Sequence, residues 1–223
     1  LGTFMLGRLE GVIRPAILNH FPTLPGGTAV MLDGGANVDC RPEWLEQFAG
    51  MGSAYARTVL KIAAPRVGVL ANGTEDGKGN ELVRATHDRL RAAKLEGYLG
   101  LVEPHDAFRG NCDVLVVDGF TGNLILKATE GTVEMILSLL RREITRRPFA
   151  RLGAFLVGPA FKAVRRRTSY DEYGAAVLLG VNKPTFIAHG RSNAKAIKNA
   201  ILFARRMVEA APAQAIAEAL KTA

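Results

Sequence analysis

The stretch VGVLANGTEDGKGNEL, residues 67–82, joins a short apolar run to a polar turn with three glycines and then to a helix-like segment. The run at 67–70 is typical of a buried β-strand, because it is short, rich in valine and followed by turn residues. A strand that leads through such a turn into a helix is the repeating unit of α/β sheets. Ligands of these sheets bind beyond the carboxyl ends of the strands, so residues 72–80 form a candidate binding turn.

Three other segments have the same form. They read TAVMLDGG at 28–35, CDVLVVDGF at 112–120 and PTFIAHG at 184–190, and helix-like segments follow them. This alternation predicts a mainly parallel sheet with helices on both faces, in a single α/β domain over residues 1–223. Apolar residues in three of the helices recur every three or four positions and are expected in the core. They are Trp44, Phe48, Met51, Tyr55 and Val59; Leu82, Thr86, Leu90 and Ala93; and Ile197, Ala200, Ile201, Ala204 and Val208.

Polar turns follow all four strands, at 33–39, 72–80, 118–123 and 189–193. Glycine lets the main chain approach a ligand closely, and the free N–H groups of a helix's first turn attract anions. Four such turns at one edge of a sheet predict a phosphate-binding site. For any single turn, the alternative is that glycine and asparagine only close the turn and cap a helix.

Known nucleotide-binding motifs do not occur in these turns. Three residues separate Gly73 from Gly77, where a P-loop has four, and Gly79 stands where a P-loop has serine or threonine. None of the turns has the glycine spacing of a dinucleotide fingerprint. The histidines at 20, 87 and 105 show no metal-ligand spacing and are expected at the surface. We therefore expect neither a cofactor nor a metal.

Composition narrows the class of protein. The 223 residues are 48% hydrophobic, which is enough for a globular core. The apolar runs fall far short of the about 20 residues that a spanning helix needs. Cys40 and Cys112 lie 72 positions apart, which suits neither a disulfide framework nor a zinc site. They are expected to be apolar core residues of a cytoplasmic protein.

Positive charge is concentrated in residues 141–167, which contain nine basic residues and one acidic residue. This stretch carries a net charge of +8, equal to that of the whole chain. Apolar and basic residues alternate on both sides of Gly158 and Pro159, which predicts two short amphipathic helices in a hairpin at 141–169. We favour a surface for an anionic membrane or an acidic partner over a merely solvated edge, and nucleic acid ranks below both. The residues expected on that surface are Arg151, Leu152, Phe155, Leu156, Phe161, Lys162, Arg165 and Arg166.

Four segments, in one order, resemble the PlsX-type phosphate acyltransferases of bacterial phospholipid synthesis. They are LDGGANVDCRPEWLEQFAGMGSAYA (32–56), PRVGVLANGTEDGKGNEL (65–82), VVDGFTGNLILK (116–127) and AHGRSN (188–193). The resemblance implies transfer of a fatty acyl group from acyl carrier protein to inorganic phosphate. It also implies a Rossmann-like fold akin to isopropylmalate dehydrogenase, a homodimer, and peripheral membrane attachment through a helical hairpin. Family members carry roughly 100 further residues before the point that matches Leu1, so the chain is expected to be part of a longer protein.

Phosphate is itself the nucleophile of such a reaction, so no activated serine or cysteine is required. Turn N–H groups and Lys78 are expected to hold phosphate beside the thioester. The side-chain amide of Asn80 or Asn123 is expected to stabilise the oxyanion of the intermediate. Asp118 is expected to orient Lys78 or Lys127.

Other turn residues have two open interpretations. Asp33 either ties neighbouring N–H groups or acts in catalysis. His189 is either a base or an ordinary turn residue, and Ser192 either caps the next helix or faces the ligand. The remaining residues expected to bind phosphate or substrate are Gly34, Gly35, Asn37, Asn72, Gly73, Thr74, Gly79, Gly119, Thr121, Gly122 and Gly190.

Two other functions stay open. A dehydrogenase of the isopropylmalate type shares the implied fold, but it needs nicotinamide-binding and metal-binding aspartates that the sequence does not display. The other possibility is a non-catalytic segment that only binds acyl carrier protein or a membrane.

Overall fold

The computed structural model describes residues 2–168, 174–190 and 192–221. Within these residues, seven strands form one sheet: β1 Ala16–Pro22, β2 Thr28–Leu32, β3 Val67–Leu70, β4 Tyr98–Val102, β5 Val114–Val116, β6 Ala176–Leu179 and β7 Thr185–Ile187. The helices are α1 Gly2–Leu6, α2 Pro42–Thr58, α3 Glu81–Ala92, α4 Pro104–Arg109, α5 Gly119–Arg146, α6 Pro148–Thr168, α7 Ala194–Ala210 and α8 Pro212–Lys221.

The sheet is mixed, with strand order β4-β3-β5-β2-β1-β6-β7. Strands β4, β3, β5 and β2 pair in parallel, whereas the β2–β1, β1–β6 and β6–β7 pairs are antiparallel. The α/β class is confirmed, but the prediction of a mainly parallel sheet is wrong for the half that contains β1, β6 and β7. These strands are linked to a neighbour by short connections at 23–27 and 180–184, and a short connection can only join antiparallel strands.

The sheet separates two apolar clusters, because successive side chains of a strand point to opposite faces. On one face, residues such as Leu18, Leu32 and Val116 pack with Phe48 and Tyr55 of α2 and with residues of α7 and α8. On the other face, the cluster includes buried strand residues and Ala107 of α4, with partly buried side chains of α5 against it. Helices on both faces were predicted, and this part of the architecture is confirmed.

Helical periodicity correctly predicted the buried face of two of the three helices for which apolar residues were named. The buried residues of α2 include Phe48, Met51 and Tyr55, and those of α3 are Thr86 and Leu90. The buried face predicted for α7 is wrong. Its buried residues are Ala196, Phe203 and Met207, while the side chains of Ile197, Ile201 and Val208 are exposed. Apolar residues lie on more than one side of α7, so their spacing alone does not tell which side faces the sheet.

Side-chain caps fix the starts of α3, α5 and α7. Asn80, Asp118 and Asn193 each accept the N–H of the residue three positions further on, at 2.9 Å. Each contact satisfies an N–H that has no partner inside the helix. The interpretation of Ser192 as the cap of α7 is therefore wrong by one position.

The basic stretch forms a hairpin of different shape from the one predicted. Helix α5 ends at Arg146 and α6 begins at Pro148, and the two helices contact each other. Helix α6 continues through Pro159, so the predicted pair of short helices separated at 158–159 is wrong. A proline removes only one N–H bond from a helix and does not always end it. None of the helices that the structure describes is both long and apolar enough to cross a bilayer.

Two of the three histidines that were expected at the surface are partly buried and contact tyrosine side chains instead. Nε2 of His20 is 2.8 Å from the hydroxyl of Tyr55, and its ring packs edge-on against Phe203. Nδ1 of His87 is likewise 2.8 Å from a tyrosine hydroxyl, whereas the side chain of His105 is half exposed as predicted. Burial, followed by the positive charge of Arg206, lowers the pKa of His20 from 6.5 to about 4.

This pKa predicts how stability depends on pH. The folded protein holds His20 neutral, whereas in the unfolded chain this histidine takes up a proton near pH 6.5. Its contribution to the free energy of unfolding is therefore complete above pH 6.5 and is lost as the pH falls from 6.5 towards 4. The loss amounts to about 3 kcal/mol at most. Denaturant melts of His20→Gln should therefore lose less stability over this pH range than the wild type does. His105→Gln, at an exposed position, is the control and should follow the wild type. Equal pH slopes for all three proteins would contradict the assignment.

Candidate anion-binding site

Three of the four polar turns lie at one edge of the sheet. Strands β2, β5 and β3 are adjacent and parallel, so the turns that begin at Asp33, Asn72 and Asp118 follow the same ends of neighbouring strands. Neighbouring strands are about 4.8 Å apart, which places these turns side by side. The prediction of convergence is confirmed for these three turns.

The fourth turn does not join them. Strand β7 runs antiparallel to β6, which runs in the same direction as β2, so β7 ends towards the opposite edge of the sheet. His189, Gly190 and Ser192 follow that end, and the expectation that they meet the other three turns is wrong. The N–H of Ser192 donates to the carbonyl oxygen of His189 at 2.9 Å, which closes this turn.

The buried carboxylate of Asp33 organises the turn after β2. Its Oδ1 accepts N–H bonds from Ile17, Gly35 and Ala36 at 2.9–3.1 Å. Its Oδ2 accepts the main-chain and side-chain N–H groups of Asn37 at 2.7 and 2.9 Å. A carboxylate has about four lone-pair sites, so these five donors occupy all of its capacity to accept hydrogen bonds. Asp33 therefore ties the turn together and is not available to a substrate.

The start of α5 packs directly on this turn. The N–H of Gly119 donates to the carbonyl oxygen of Asn37 at 2.8 Å. A Cβ on Gly119 would come within 2.5 Å of that oxygen, and a Cβ on Gly122 would come within 2.0 Å of the carbonyl oxygen of Asp33. The two glycines lie three positions apart on one face of the helix, so α5 can approach only because both lack a side chain.

These contacts decide which N–H groups are free to bind an anion. The N–H groups of residues 33–37 are all occupied, by the Asp33 carboxylate or by main-chain carbonyl groups. By contrast, the N–H groups of residues 73–77 and of Phe120 make no hydrogen bond within the described parts of the chain. The candidate site is therefore narrower than predicted. Its free donors come from the turn after β3 and from the first turn of α5.

The turn after β3 is closed by its own side chains. Oδ1 of Asn72 accepts the N–H of Gly79 at 2.9 Å. The aliphatic part of Lys78 lies over Gly73, where an added Cβ would be 3.1 Å from its Cγ. The ammonium group of Lys78 forms no ion pair among the described residues and is exposed. This lysine remains free to bind an anion next to the unpaired N–H groups, and Thr74 is exposed in the same turn.

Asp118 has a different role from the one expected. Its carboxylate accepts the N–H of Thr121 at 2.9 Å and the hydroxyl of Thr121 at 2.8 Å, so it caps α5. Within the described residues it pairs with neither Lys78 nor Lys127, and the expectation that it orients a lysine is not met. Lys127 is exposed one helical turn after Asn123, on the same side of α5.

Two asparagines keep donors available. Asn80 uses its Oδ1 as the cap of α3, and its NH₂ group makes no hydrogen bond within the described chain. Asn123 lies beside the turn after β2, where an added Cβ on Gly35 would be 3.4 Å from its Cβ. Its side-chain amide also has no hydrogen bond to a described residue. Both groups lie on helices that start at the same sheet edge.

The two cysteines lie at opposite edges of the sheet, since Cys40 follows the turn after β2 whereas Cys112 precedes β5. Burial raises the pKa of the Cys40 thiol to about 11 and that of Cys112 to about 12, so both remain thiols at neutral pH. Both cysteines are free of disulfides. Among the described residues, no group of three His, Cys, Asp or Glu side chains is placed to hold a metal ion.

A second group of residues, which was not predicted from the sequence, lies next to the site. Arg8, Arg14 and Arg41 line an open cleft of about 940 Å³ together with Trp44, and Asn37 lies on its wall. Trp44 was assigned only to the core. The signal that could have found the cleft is the pair of arginines among glycine and proline in GRLEGVIRP, residues 7–15.

The hairpin surface is apolar and exposed. The side chains of Phe155 and Leu156 are 82% and 76% exposed, and Leu152 is 69% exposed. Lys162 and Arg166 are exposed on the same helix, whereas Phe161 is partly buried. The side chains of Arg151 and Arg165 lie outside the described part of the structure.

Fold and site together define an α/β protein in which N–H donors at the carboxyl ends of parallel strands have no partner among the described residues. A phosphotransacetylase from Streptococcus pyogenes has a similar fold, with a TM-score of 0.56 at 17% identity, over 92% of this chain and 57% of that one. The family model described as fatty acid synthesis protein matches residues 1–215. The chain belongs to this family.

Relatives in the family are phosphate acyltransferases by name. The one from Geobacter sulfurreducens is 49% identical over 99% of this chain and 63% of its own length. The one from Syntrophotalea carbinolica is 50% identical over 93% of this chain and 59% of its own length. The predicted resemblance is thus confirmed. The chain spans about three-fifths of the length of these relatives.

The contact between α5 and the turn after β2 can be tested with two glycine variants. Gly122→Ala should destabilise the protein by about 1–3 kcal/mol, because the new Cβ would meet a main-chain oxygen that cannot move aside. Gly131→Ala, in the same helix with open space around it, should stabilise by up to about 1 kcal/mol. Urea unfolding measures both effects. The assignment would be wrong if Gly122→Ala were as stable as Gly131→Ala.

Proposed function

We propose that the chain is part of an enzyme that transfers a fatty acyl group from acyl carrier protein to inorganic phosphate. The observation that carries the proposal is the set of N–H groups at 73–77 and 120 that have no partner among the described residues, with Lys78, which forms no ion pair among those residues, beside them. Membership of the fatty acid synthesis protein family supports the same assignment, since relatives that cover this chain are named phosphate acyltransferases.

In this reaction, a phosphate oxygen attacks the carbonyl carbon of the thioester. A C–O bond forms, the C–S bond breaks, and the products are an acyl phosphate and the carrier thiol. Lys78 and the free N–H groups hold the phosphate and offset its charge, which lowers the entropic cost of the encounter. An NH₂ group of Asn80 or Asn123 stabilises the oxyanion, and one such donor is worth roughly 3 kcal/mol. A thiol pKa of about 8.5 makes the sulfur a good leaving group, so little acid assistance is needed.

The hairpin α5–α6 fits a role at a membrane in the cytoplasm. Its exposed phenylalanine and leucine side chains alternate with basic residues on α6, and this combination binds anionic lipid surfaces. We therefore include peripheral membrane attachment in the proposal. A homodimer, which the family resemblance implies, stays a prediction.

One assay tests the activity directly. The chain is mixed with an acyl carrier protein thioester and inorganic phosphate, and acyl phosphate and free thiol are measured. Both products should appear in equal amounts. Binding of the thioester without turnover would favour the alternative of a non-catalytic segment, for which the shorter length relative to the family members is the motivating observation. Formation of NADH from a hydroxy acid and NAD would instead favour a dehydrogenase.

Lys78 provides the sharpest test of the site. Lys78→Ala should raise the phosphate concentration needed for half-maximal rate by about 10- to 100-fold, because a hydrogen bond to a charged group is lost. Lys198→Ala, at an exposed position on α7, is the matched control and should leave this concentration unchanged. Line broadening of the phosphate ³¹P resonance gives the same comparison without turnover. Identical phosphate dependence in both variants would remove Lys78 from the site.

Membrane attachment is tested with charge changes on α6. The double variant Phe155→Glu and Leu156→Glu should no longer sediment with vesicles that contain anionic lipid, since it removes apolar contact and adds repulsion. The matched control is Ile197→Glu with Ile201→Glu, which alters two exposed apolar side chains on α7 outside the basic stretch. If the two double variants sediment alike, the hairpin is not the attachment surface.

A further inference from the structure

The cleft beside the turn after β2 is lined by more arginine side chains than carboxylates, so it carries a net positive charge. Arg8, Arg14 and Arg41 line it, and Glu43 is the one carboxylate among its described lining residues. Neither Arg14 nor Arg41 forms an ion pair within the described chain. A cluster of arginines without carboxylate partners is expected to attract an anion from solution.

Trp44 fixes the two arginines in place. The guanidinium carbon of Arg14 lies 4.8 Å from the centre of the Trp44 ring, and that of Arg41 lies 6.0 Å from it. Such cation–π contacts orient a guanidinium group while its N–H groups stay free for hydrogen bonds. The guanidinium of Arg8 donates to the carbonyl oxygen of Ile13, which holds it at the rim of the same cleft.

The start of α2 adds to this positive potential. Arg41 is its N-cap residue and makes no side-chain cap bond, and Pro42 has no N–H. The positive end of the dipole of this 17-residue helix therefore borders the cleft together with the arginines. Glu43 offsets part of this charge.

The position of the cleft connects it to the phosphate-binding edge. Asn37 lines the cleft, and the same residue donates to Asp33 and accepts from the N–H of Gly119 at the start of α5. A ligand that extends along this turn would join the cleft to the free donors around α5. Arginine forms paired hydrogen bonds with the oxygen atoms of phosphate groups.

We propose that this cleft binds the phosphate ester of the carrier arm that brings the acyl thioester. The inference rests on the proposed function, because the thioester of an acyl carrier protein sits at the end of a phosphopantetheine arm. The phosphate ester of that arm lies in the cleft, between the guanidinium groups of Arg14 and Arg41. The arm then runs past Asn37, and the thioester reaches the phosphate held near Lys78.

Trp44 makes the test direct, because it is the single tryptophan of the chain and lines the cleft. Its fluorescence is followed during titration with phosphopantetheine, with pantetheine and with inorganic phosphate. Phosphopantetheine should change the signal at a concentration at least tenfold lower than the other two. Arg14→Gln and Arg41→Gln should each raise that concentration about tenfold or more, whereas Arg142→Gln on α5 should not change it. Circular dichroism melts show whether each variant is folded.

The outcomes separate this inference from the proposed function. An equal response to pantetheine, or an unchanged response in folded Arg14→Gln and Arg41→Gln, would overturn the inference. A response to inorganic phosphate as strong as that to phosphopantetheine would also overturn it, and would make the cleft a site for free phosphate. If phosphopantetheine binds as expected but no acyl phosphate forms in the transfer assay, the proposed function is wrong and the cleft assignment stands.

Discussion

The buried carboxylate of Asp33 is the contact on which the rest of the site depends. A charged group without exposure to water is costly unless hydrogen bonds replace its hydration, and here five N–H donors do so. The donors belong to β1 and to the turn after β2, so one side chain joins the antiparallel and parallel halves of the sheet. It also gives the turn a fixed shape, against which the glycine face of α5 can pack.

This arrangement gives two similar turns different functions. The glycine-rich turn after β2 uses its N–H groups internally and serves as a support, whereas in the turn after β3 the N–H groups of residues 73–77 have no partner within the described part of the chain. The difference is that the Asp33 carboxylate accepts the N–H groups of its own turn. In the turn after β3, Asp76 is exposed near His87 and Arg91, and the Glu75 carboxylate lies beside Gly73 without accepting an N–H group of the described chain. A rigid support next to a free set of donors is what positional catalysis needs, because the donors must be held in place before the ligand arrives.

The sequence predicted part of this molecule and missed the rest for physical reasons. Strands β2, β3 and β5 are continuous apolar runs buried on both faces, and they were identified. Strand β1 carries asparagine and histidine, and β4 lies at the edge of the sheet with only two of its five residues buried, so neither has the pattern of a fully buried strand. The direction of β7 depends on its pairing with β6, which local sequence does not encode. Likewise, the sequence predicted the turns at 33–39 and 72–80 to be alike, because the occupation of the N–H groups at 35–37 depends on the orientation of one side chain, that of Asp33.

Helix α5 connects the two regions that the proposed function requires. Its first turn belongs to the candidate anion-binding edge, and its last turns carry the start of the basic stretch, which begins at Arg141 about 33 Å from Gly119, at 1.5 Å per residue. The basic residues near the ends of both helices are favoured by the negative end of the helix dipole, and Glu143 pairs with three of those at the end of α5. The apolar side chains of α6 differ, because Phe149, Phe155 and Leu156 stay exposed to water. Neither the dipole nor packing within the described chain accounts for these exposed apolar side chains, and they are the observation behind the proposal of membrane attachment.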